Sequence, residues 1–348
     1  MQVICYKAFS DSSIKTIAIP DHVTVISDYS FANCQNLVKV EFSINSELRI
    51  IGKCAFNSTL IEEINIPSQV RLIDDNAFSS CAKLRNVNIC DNSELREIGY
   101  YVFHNLIDPI AIPSKVEKIG FPLSNKIMIS PTNRNFKFID NNIILKKSNK
   151  DSDEFDQLIL ASKDVECVNV PSSVKTICFY QCMKLQSILF TLDSKLVSIG
   201  ISAFSRSSIE SILIPPHVTI IDKNAFEYCN KLKKVEFSND SQLCIIESNA
   251  FYYTLIESII IPQHVKIISP KAFSQCKNLQ KIEFSKNSEL QIISYHAFAH
   301  CSFDRITIPP HVKTIERGAF ADCINLKKIE FIGDIQNILI AKDVFNNL

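Results

Sequence analysis

The sequence predicts an α/β-type repeat solenoid that is dominated by short β-strands. Two observations predict it. The stretch FSKNSELQIISYHAF, beginning at Phe284, has a near twin in FSINSELRIIGKCAF, beginning at Phe42. Phenylalanines also recur along the chain at spacings that alternate strictly between 22 and 25 residues. Self-similarity at a fixed period of this length is the sequence signature of stacked coils.

The recurring phenylalanines define about 13 coils and a two-coil repeat of 47 residues. One kind of coil ends in a turn that contains Cys, and the other ends in a turn that contains Ser or Thr. We call them Cys-type and Ser/Thr-type coils. The recurring residues are Phe9, Phe31, Phe56, Phe78 and Phe103, then, after a gap, Phe179, Phe204, Phe226, Phe251, Phe273, Phe298, Phe320 and Phe345.

A short strand is predicted in every coil. In LKKVEF, residues 232–237, Val235 points inward while Lys234 and Glu236 point outward, because side chains alternate between the two faces of a strand. Stacked coils would align these segments as a parallel sheet. In Ser/Thr-type coils a proline such as Pro262 closes the strand, since proline has no N–H for the ladder. In Cys-type coils an Asx-Ser turn closes it.

Composition and charge exclude several classes of protein. Lys plus Arg and Asp plus Glu both number 37, and no dense basic run is present to neutralise nucleic-acid phosphates. We therefore expect no nucleic-acid partner. Neither a signal peptide nor an apolar run of about 18 residues is found, so the sequence favours a cytoplasmic protein without a transmembrane segment.

The cysteines and histidines indicate packing and turns rather than chemistry. Seven of the 13 cysteines lie three residues after a repeat phenylalanine, which is typical of a small buried thiol at a turn. Disulfides or a zinc site are the alternatives. The seven are Cys34, Cys81, Cys182, Cys229, Cys276, Cys301 and Cys323.

Four histidines precede the Val that begins a coil, and we interpret them as surface turn residues too far apart to share a metal ion: His22, His217, His264 and His311. His296, His300 and Cys301 are close in sequence, but Cys301 occupies the buried-thiol position and no orienting carboxylate or amide is specified. No P-loop, GxSxG, GxGxxG or HExxH motif occurs. We therefore predict no catalytic, cofactor or metal site and no enzyme activity.

The string Leu-x-x-Ile-x-Ile-Pro-x-x-Val-x-x-Ile-x-x-x-Ala-Phe-x-x-Cys resembles the BspA-type leucine-rich repeat family. About a dozen copies keep register, and the alternating NSxL phrase is similar to the protozoan expansions of that family. The resemblance implies a right-handed leucine-rich-repeat superhelix with parallel strands. It also implies a surface antigen or adhesin of a parasite, located at the cell surface.

The register is interrupted between Phe103 and Phe179, where 76 residues exceed the expected 22 + 25 by 29. We predict a β-hairpin insertion of two apolar segments around a charged tip at residues 146–156. The hairpin is either a spacer that changes curvature or a binding loop, and its acidic run, Asp151, Asp153, Glu154 and Asp156, is expected to be solvated. One continuous solenoid would then comprise an N-terminal array at 1–120, a degenerate repeat plus hairpin at 121–170, and a C-terminal array at 171–348.

The outward strand positions form the candidate protein-binding face, because the ordered faces of solenoids often bind macromolecules. Its residues either bind protein or merely keep the sheet soluble. They are Lys39, Glu41, Lys234, Glu236, Ser258, Ile260, Lys281, Glu283, Arg305, Thr307, Lys328 and Glu330.

Three functional hypotheses follow. The chain is an adhesin-like antigen that binds host or matrix proteins, or an intracellular scaffold, which the unpaired cysteines and missing signal peptide favour. The third hypothesis is an enzyme whose active site is in the insertion, and almost no residues support it. Because capping units are not evident, self-association through the ends is also expected.

Overall fold

The computed structural model describes residues 2–104, 106, 108–121, 123, 127–140, 143–160, 165–179, 182–333, 336 and 338–345. The chain forms two compact units, Met1–Phe155 and Asp156–Leu348. Each is a parallel β-solenoid, and the two contain about 14 turns among the described residues. The repeat-solenoid prediction is confirmed. Its α/β component is wrong, since no α-helix occurs in the described ranges.

The first unit contains fourteen strands among its described residues. In chain order they are β1 Gln2–Ile4, β2 Thr16–Ile19, β3 Val23–Ile26, β4 Lys39–Phe42, β5 Ile50–Ile51, β6 Glu63–Ile66, β7 Leu72–Ile73, β8 Asn86–Ile89, β9 Glu97–Ile98, β10 Ile110–Ile112, β11 Lys118–Ile119, β12 Ile127–Ile129, β13 Phe136–Asp140 and β14 Ile143–Lys146.

The second unit continues with seventeen described strands. They are β15 Gln157–Leu160, β16 Cys167–Val170, β17 Thr176–Ile177, β18 Ser187–Phe190, β19 Ser198–Ile199, β20 Ser211–Ile214, β21 Ile220–Ile221, β22 Lys234–Phe237, β23 Ile245–Ile246, β24 Ser258–Ile261, β25 Ile267–Ile268, β26 Lys281–Phe284, β27 Ile292–Ile293, β28 Arg305–Ile308, β29 Thr314–Ile315, β30 Lys328–Phe331 and β31 Leu339–Ile340.

The most extensive pairing in each unit is made by the shortest strands, which we call the narrow sheet. It runs β1-β3-β5-β7-β9-β11 in the first unit, and from β15 through the odd-numbered strands to β31 in the second. Most of its strands have two residues, of which the second is a buried Ile such as Ile246 or Ile268. A two-residue strand is stable here because each coil adds hydrogen bonds to the coils on both sides.

The four-residue strands carry the predicted alternation, but they do not form one continuous sheet. β2 pairs with β4, β6 with β8, β16 with β18, and β28 with β30, while β20-β22-β24-β26 form a four-stranded sheet. In each of these pairs a Ser/Thr-type strand pairs with the Cys-type strand that follows it. The expected single parallel sheet is therefore divided at most Cys-type strand ends.

The core is a column of phenylalanine rings, one per coil. In the second unit Phe226, Phe251 and Phe273 are completely buried, with ring centroids 5.0 and 5.1 Å apart and nearly parallel planes. In the first unit the stack begins at Phe9 and Phe31, also 5.1 Å apart. Offset stacking of this kind is favourable beyond the burial of the rings. The recurring phenylalanine thus sets the rise of the solenoid.

The cysteine position is a second column beside the rings. All seven predicted cysteines are buried, and the 13 cysteines of the chain are thiols, which confirms the buried-thiol interpretation. Cys276 donates to the carbonyl oxygen of Phe251 at 3.1 Å and lies 3.2 Å from the hydroxyl of Thr254 in the preceding coil. Thr59 and Cys81 repeat this contact at 3.2 Å. Thiol and hydroxyl alternate, so each satisfies its neighbour in the core.

Left-handed backbone recurs on both sides of the repeat phenylalanine. Asn224 and Tyr228, which flank Phe226, have φ of 57° each, and Lys271 and Gln275 around Phe273 have φ of 58° and 65°. Non-glycine residues rarely adopt this conformation because Cβ crowds the carbonyl oxygen. The turns are kept by amide hydrogen bonds to the next coil, such as Tyr228 N to Tyr252 O at 2.9 Å.

The first predicted apolar segment of the insertion contains an antiparallel strand pair that the sequence did not predict. β13 and β14 pair antiparallel, with Phe136 opposite Lys146 and Asp140 opposite Ile143. Residues 141–142 lie outside the described residues, as do residues 161–164 of the second predicted segment. The apolar segment after residues 146–156, β15, pairs parallel with β17, and the hairpin with its tip at 146–156 stays a prediction.

The acidic run is solvated only in part. Asp151, Asp153 and Glu154 are exposed, but Asp156 is 7% exposed and its carboxylate lies 3.9 Å from Lys175 Nζ. The prediction of a solvated run is wrong for Asp156, because that residue begins the core of the second unit rather than ending a loop.

Candidate functional site

The candidate face lies on the outward positions of the four-residue strands, as predicted. In the first unit Lys39 and Glu41 project from β4 and stand opposite Thr16 and Ala18 of β2. The remaining candidate residues lie in the second unit. Lys39 and Glu41 belong to the first unit and are described with it.

In the second unit the four-stranded sheet brings eight outward residues together in two columns. Ser211, Lys234, Ser258 and Lys281 form one column, and Leu213, Glu236, Ile260 and Glu283 form the other. Leu213, on the edge strand β20, and Ile260, on the inner strand β24, are 57% and 58% exposed, large fractions for aliphatic side chains of a sheet. The face therefore presents aliphatic side chains on both sides of Glu236.

The charges of the face are neutralised within each strand. Lys234 Nζ lies 2.9 Å from Glu236, and Lys281 Nζ lies 2.8 Å from Glu283. Lys39 and Glu41 make the same contact at 2.5 Å, and the hydrogen bond that Lys39 donates to Glu41 raises the pKa of Lys39. Such exposed pairs contribute little stability. Their main effect is a face without net charge.

The pair of β28 and β30 extends the same pattern. Arg305 stands opposite Lys328 and Thr307 opposite Glu330, and Thr307 donates a hydrogen bond to the Glu330 carboxylate at 3.3 Å. Lys328, 2.5 Å away, lowers the pKa of Glu330 through a hydrogen bond and its charge. All twelve candidate residues thus lie on outward-facing strand positions.

A notch beside the face was not predicted. β22 and β24 pair only at Lys234 and Ser258, whereas β20 and β22 pair over four residues. Beyond that point the strands diverge and leave a depression of about 610 Å³. Its walls are the Cys-type turns at 238–242 and 285–287, and its floor is β24 with the turn at 262–264. We call this depression the notch.

The notch follows from unequal turn lengths. Five residues separate Phe237 from Leu243 in the Cys-type coil, but only three separate Ile261 from Val265 in the Ser/Thr-type coil. The longer turns therefore project on either side of the shorter one. The alternation of 22 and 25 residues is the sequence signal for the notch. Coil lengths alone do not show a cavity, because its position also depends on how neighbouring coils align.

The histidine column lies at these turns. His264 Nδ1 is 2.9 Å from a Glu289 oxygen in the next coil, and His22 is 3.5 Å from Glu47. His22, His217 and His311 are exposed and His264 is half-buried, which confirms that they are turn residues. No group of three or more metal-ligating side chains occurs within the described part of the chain.

The Cys–His arrangement near residue 300 is not reactive. Cys301 is 2% exposed, and burial raises the pKa of its thiol well above the ordinary value. His300 contacts Asp322 at 3.5 Å, and the His296 ring covers Gly318. A nucleophilic cysteine is a thiolate with access to substrate. Cys301 is neither a thiolate nor accessible to a substrate.

Among the described residues, no helix is long and apolar enough to span a membrane.

Comparison with known proteins agrees with this architecture. The sequence matches the BspA type leucine rich repeat region in six copies, over residues 2–123, 154–243 and 244–348. The chain belongs to this family. No match was found among curated proteins. The family and fold fit a protein-interaction module, and its related structures are repeat proteins rather than known enzymes.

Three solved structures illustrate the shared fold. The pneumococcal vaccine antigen PcpA is 19% identical with a TM-score of 0.61, covering 95% of this chain and 84% of its own. A leucine-rich repeat protein of Eubacterium ventriosum is 22% identical with a TM-score of 0.62, covering 84% and 83%. A leucine rich cell surface protein of Faecalibacterium prausnitzii is 23% identical with a TM-score of 0.52, covering 93% and 80%.

Proposed function

We propose that this BspA-type protein is an adhesin-like surface antigen that binds host or matrix proteins through the strand face of its second unit. The observation that carries the proposal is the exposure of two aliphatic side chains, Leu213 and Ile260. They lie on the two sides of Glu236, whose charge is neutralised by Lys234. Protein interfaces combine an apolar centre with a polar rim. The similarity to a vaccine antigen and to a cell surface protein supports the same class.

The test compares lysine substitutions at matched aliphatic positions. Leu213→Lys and Ile260→Lys place a charge on the two sides of Glu236 within the face, whereas Ile44→Lys changes a 99% exposed side chain at a turn of the first unit. Binding to intact host cells and to immobilised matrix proteins should weaken by 10-fold or more, on the order of a hot-spot loss, in the first two variants. Equal binding by all three variants would contradict the proposal.

The cell address is tested separately by antibody staining of intact and permeabilised cells of the source organism. Staining of intact cells is expected for a surface antigen. The 13 thiols are the observation that favours the second candidate, an intracellular scaffold, because thiols persist in reducing compartments. Staining only after permeabilisation would support that scaffold and exclude the adhesin.

A further inference from the structure

The notch between the turns at 238–242 and 285–287 has a lining that points to a ligand of its own. Its volume of about 610 Å³ lies within the range of small-ligand sites. Most of its lining is polar, and Ile260 is the exposed aliphatic side chain on its floor. A purely apolar ligand would therefore leave many polar groups without hydrogen bonds.

The charges of the notch largely cancel. Lys234 is paired with Glu236 at 2.9 Å, and His264 with Glu289 at 2.9 Å. The remaining charged groups, Lys286 on one wall and Asp240 on the other, have opposite signs. A strongly anionic or cationic ligand would meet a repulsive group as well as an attractive one, so the lining favours a neutral ligand.

Three amide side chains supply the hydrogen-bonding capacity. Asn239, Gln263 and Asn287 line the notch, and within the described residues around it none of their side chains has a protein hydrogen-bond partner. Each amide offers two N–H donors and one acceptor oxygen. They stand on both walls and the floor, so they can address one ligand from three sides.

A hydroxyl group both donates and accepts hydrogen bonds, so it can bond to the N–H groups and to the oxygen of an amide side chain. A neutral sugar carries several hydroxyls around its ring and C–H groups on its flat faces, and Ile260 offers an apolar contact for such a face. Two coils span about 10 Å at the usual strand spacing, which is wide enough for a short oligosaccharide.

We propose that the notch binds a neutral oligosaccharide through Asn239, Gln263 and Asn287, with a sugar ring packed on Ile260. This site goes beyond the protein-binding proposal and does not depend on it. Asn239 begins the sequon Asn-Asp-Ser, where a covalently attached glycan would occupy the notch itself. The test therefore uses the full chain produced in bacteria, in which this amide is unmodified.

The probe is an array of neutral, sialylated and sulfated oligosaccharides, followed by calorimetric titration of the strongest neutral one. Saturable binding of a neutral oligosaccharide is expected. Asn239→Ala and Asn287→Ala should each weaken it about 3- to 10-fold, the effect of losing one hydrogen bond. Asn92→Ala, at the turn position of the first unit that corresponds to Asn287, should leave the affinity unchanged.

Three outcomes would overturn the proposal: no neutral oligosaccharide binds, only charged ones bind, or binding survives the double substitution of Asn239 and Asn287. Thermal unfolding of each variant separates loss of the site from loss of the fold, and unchanged midpoints are expected because Asn239 and Asn287 are exposed. If the unsubstituted chain binds host protein but no neutral oligosaccharide, this site alone is rejected. Ile44→Lys serves as a further control and should change neither the affinity for the oligosaccharide nor that for the host protein.

Discussion

The column of phenylalanine rings predicts that Phe251→Ala lowers the free energy of unfolding much more than Phe9→Ala does. Phe251 is completely buried, and its ring stacks on Phe226 at 5.0 Å and on Phe273 at 5.1 Å. Replacing a buried phenylalanine by alanine costs about 3–5 kcal/mol, and each lost aromatic pair adds about 0.5–1.5 kcal/mol. Because the cost of replacing a buried phenylalanine already includes part of the ring-pair energy, we expect a total of roughly 4–6 kcal/mol.

Phe9 provides the matched control. It is 38% exposed and has one stacked neighbour among the described rings, Phe31. Its replacement by alanine should cost only about 1–2 kcal/mol, because it buries less apolar area and loses one ring pair.

Native-state hydrogen exchange measures both changes locally, which suits a solenoid whose coils contact only their neighbours. The amide of Phe251, which donates to Ala272 O at 2.8 Å, reports on the inner coil, and the amide of Phe9, which donates to Ser30 O, on the outer one. Equal loss of protection at the two amides would refute the view that stacking on both sides stabilises the column.

Three further predictions follow from the turns and the thiol column. Lys271→Gly should raise the free energy of unfolding by about 1 kcal/mol in urea melts while Lys271→Ala should not, because φ is 58° and the equivalent position in a later coil is Gly318. Thr254→Val should lower it by about 1–2 kcal/mol, with Thr254→Ser nearly neutral, since the hydroxyl lies 3.2 Å from Cys276. Burial raises the pKa of Cys229 from 9.0 to about 12, so the folded thiol keeps a proton that the unfolded chain releases. Stability is therefore complete below pH 9 and should fall as the pH rises towards 12, and urea melts of Cys229→Ser should show a weaker alkaline loss.

The strand face could be predicted from the sequence because its signal is local. Alternation in LKKVEF places Val235 inside and Lys234 and Glu236 outside, and the structure confirms all three. The phenylalanine and cysteine positions were likewise given by their period. In these cases the environment of a residue is set within its own coil, so the repeated sequence pattern is enough to predict it.

Other features depend on contacts between coils, which a single repeat does not display. The narrow sheet was missed because a two-residue segment such as Ile245–Ile246 is too short to show alternation. The notch was missed because its walls belong to different coils. The pairing of β13 with β14 was missed because the charged run at 146–156 is a stronger turn signal in the sequence than the two asparagines at 141–142.

The thiol–hydroxyl column also has a consequence for how such a chain can lengthen or shorten. Deleting one coil would bring two thiols or two hydroxyls into contact and would disturb the alternation of long and short turns. Deleting two coils, 47 residues, would restore both patterns. Cys301, which follows Cys276 and precedes Cys323 in the column, shows that one such mismatch is tolerated by a thiol bonded to the Phe273 carbonyl oxygen at 3.3 Å. Gene duplication in this architecture should therefore proceed in pairs of coils, with isolated single-coil events confined to places where a cysteine replaces the hydroxyl.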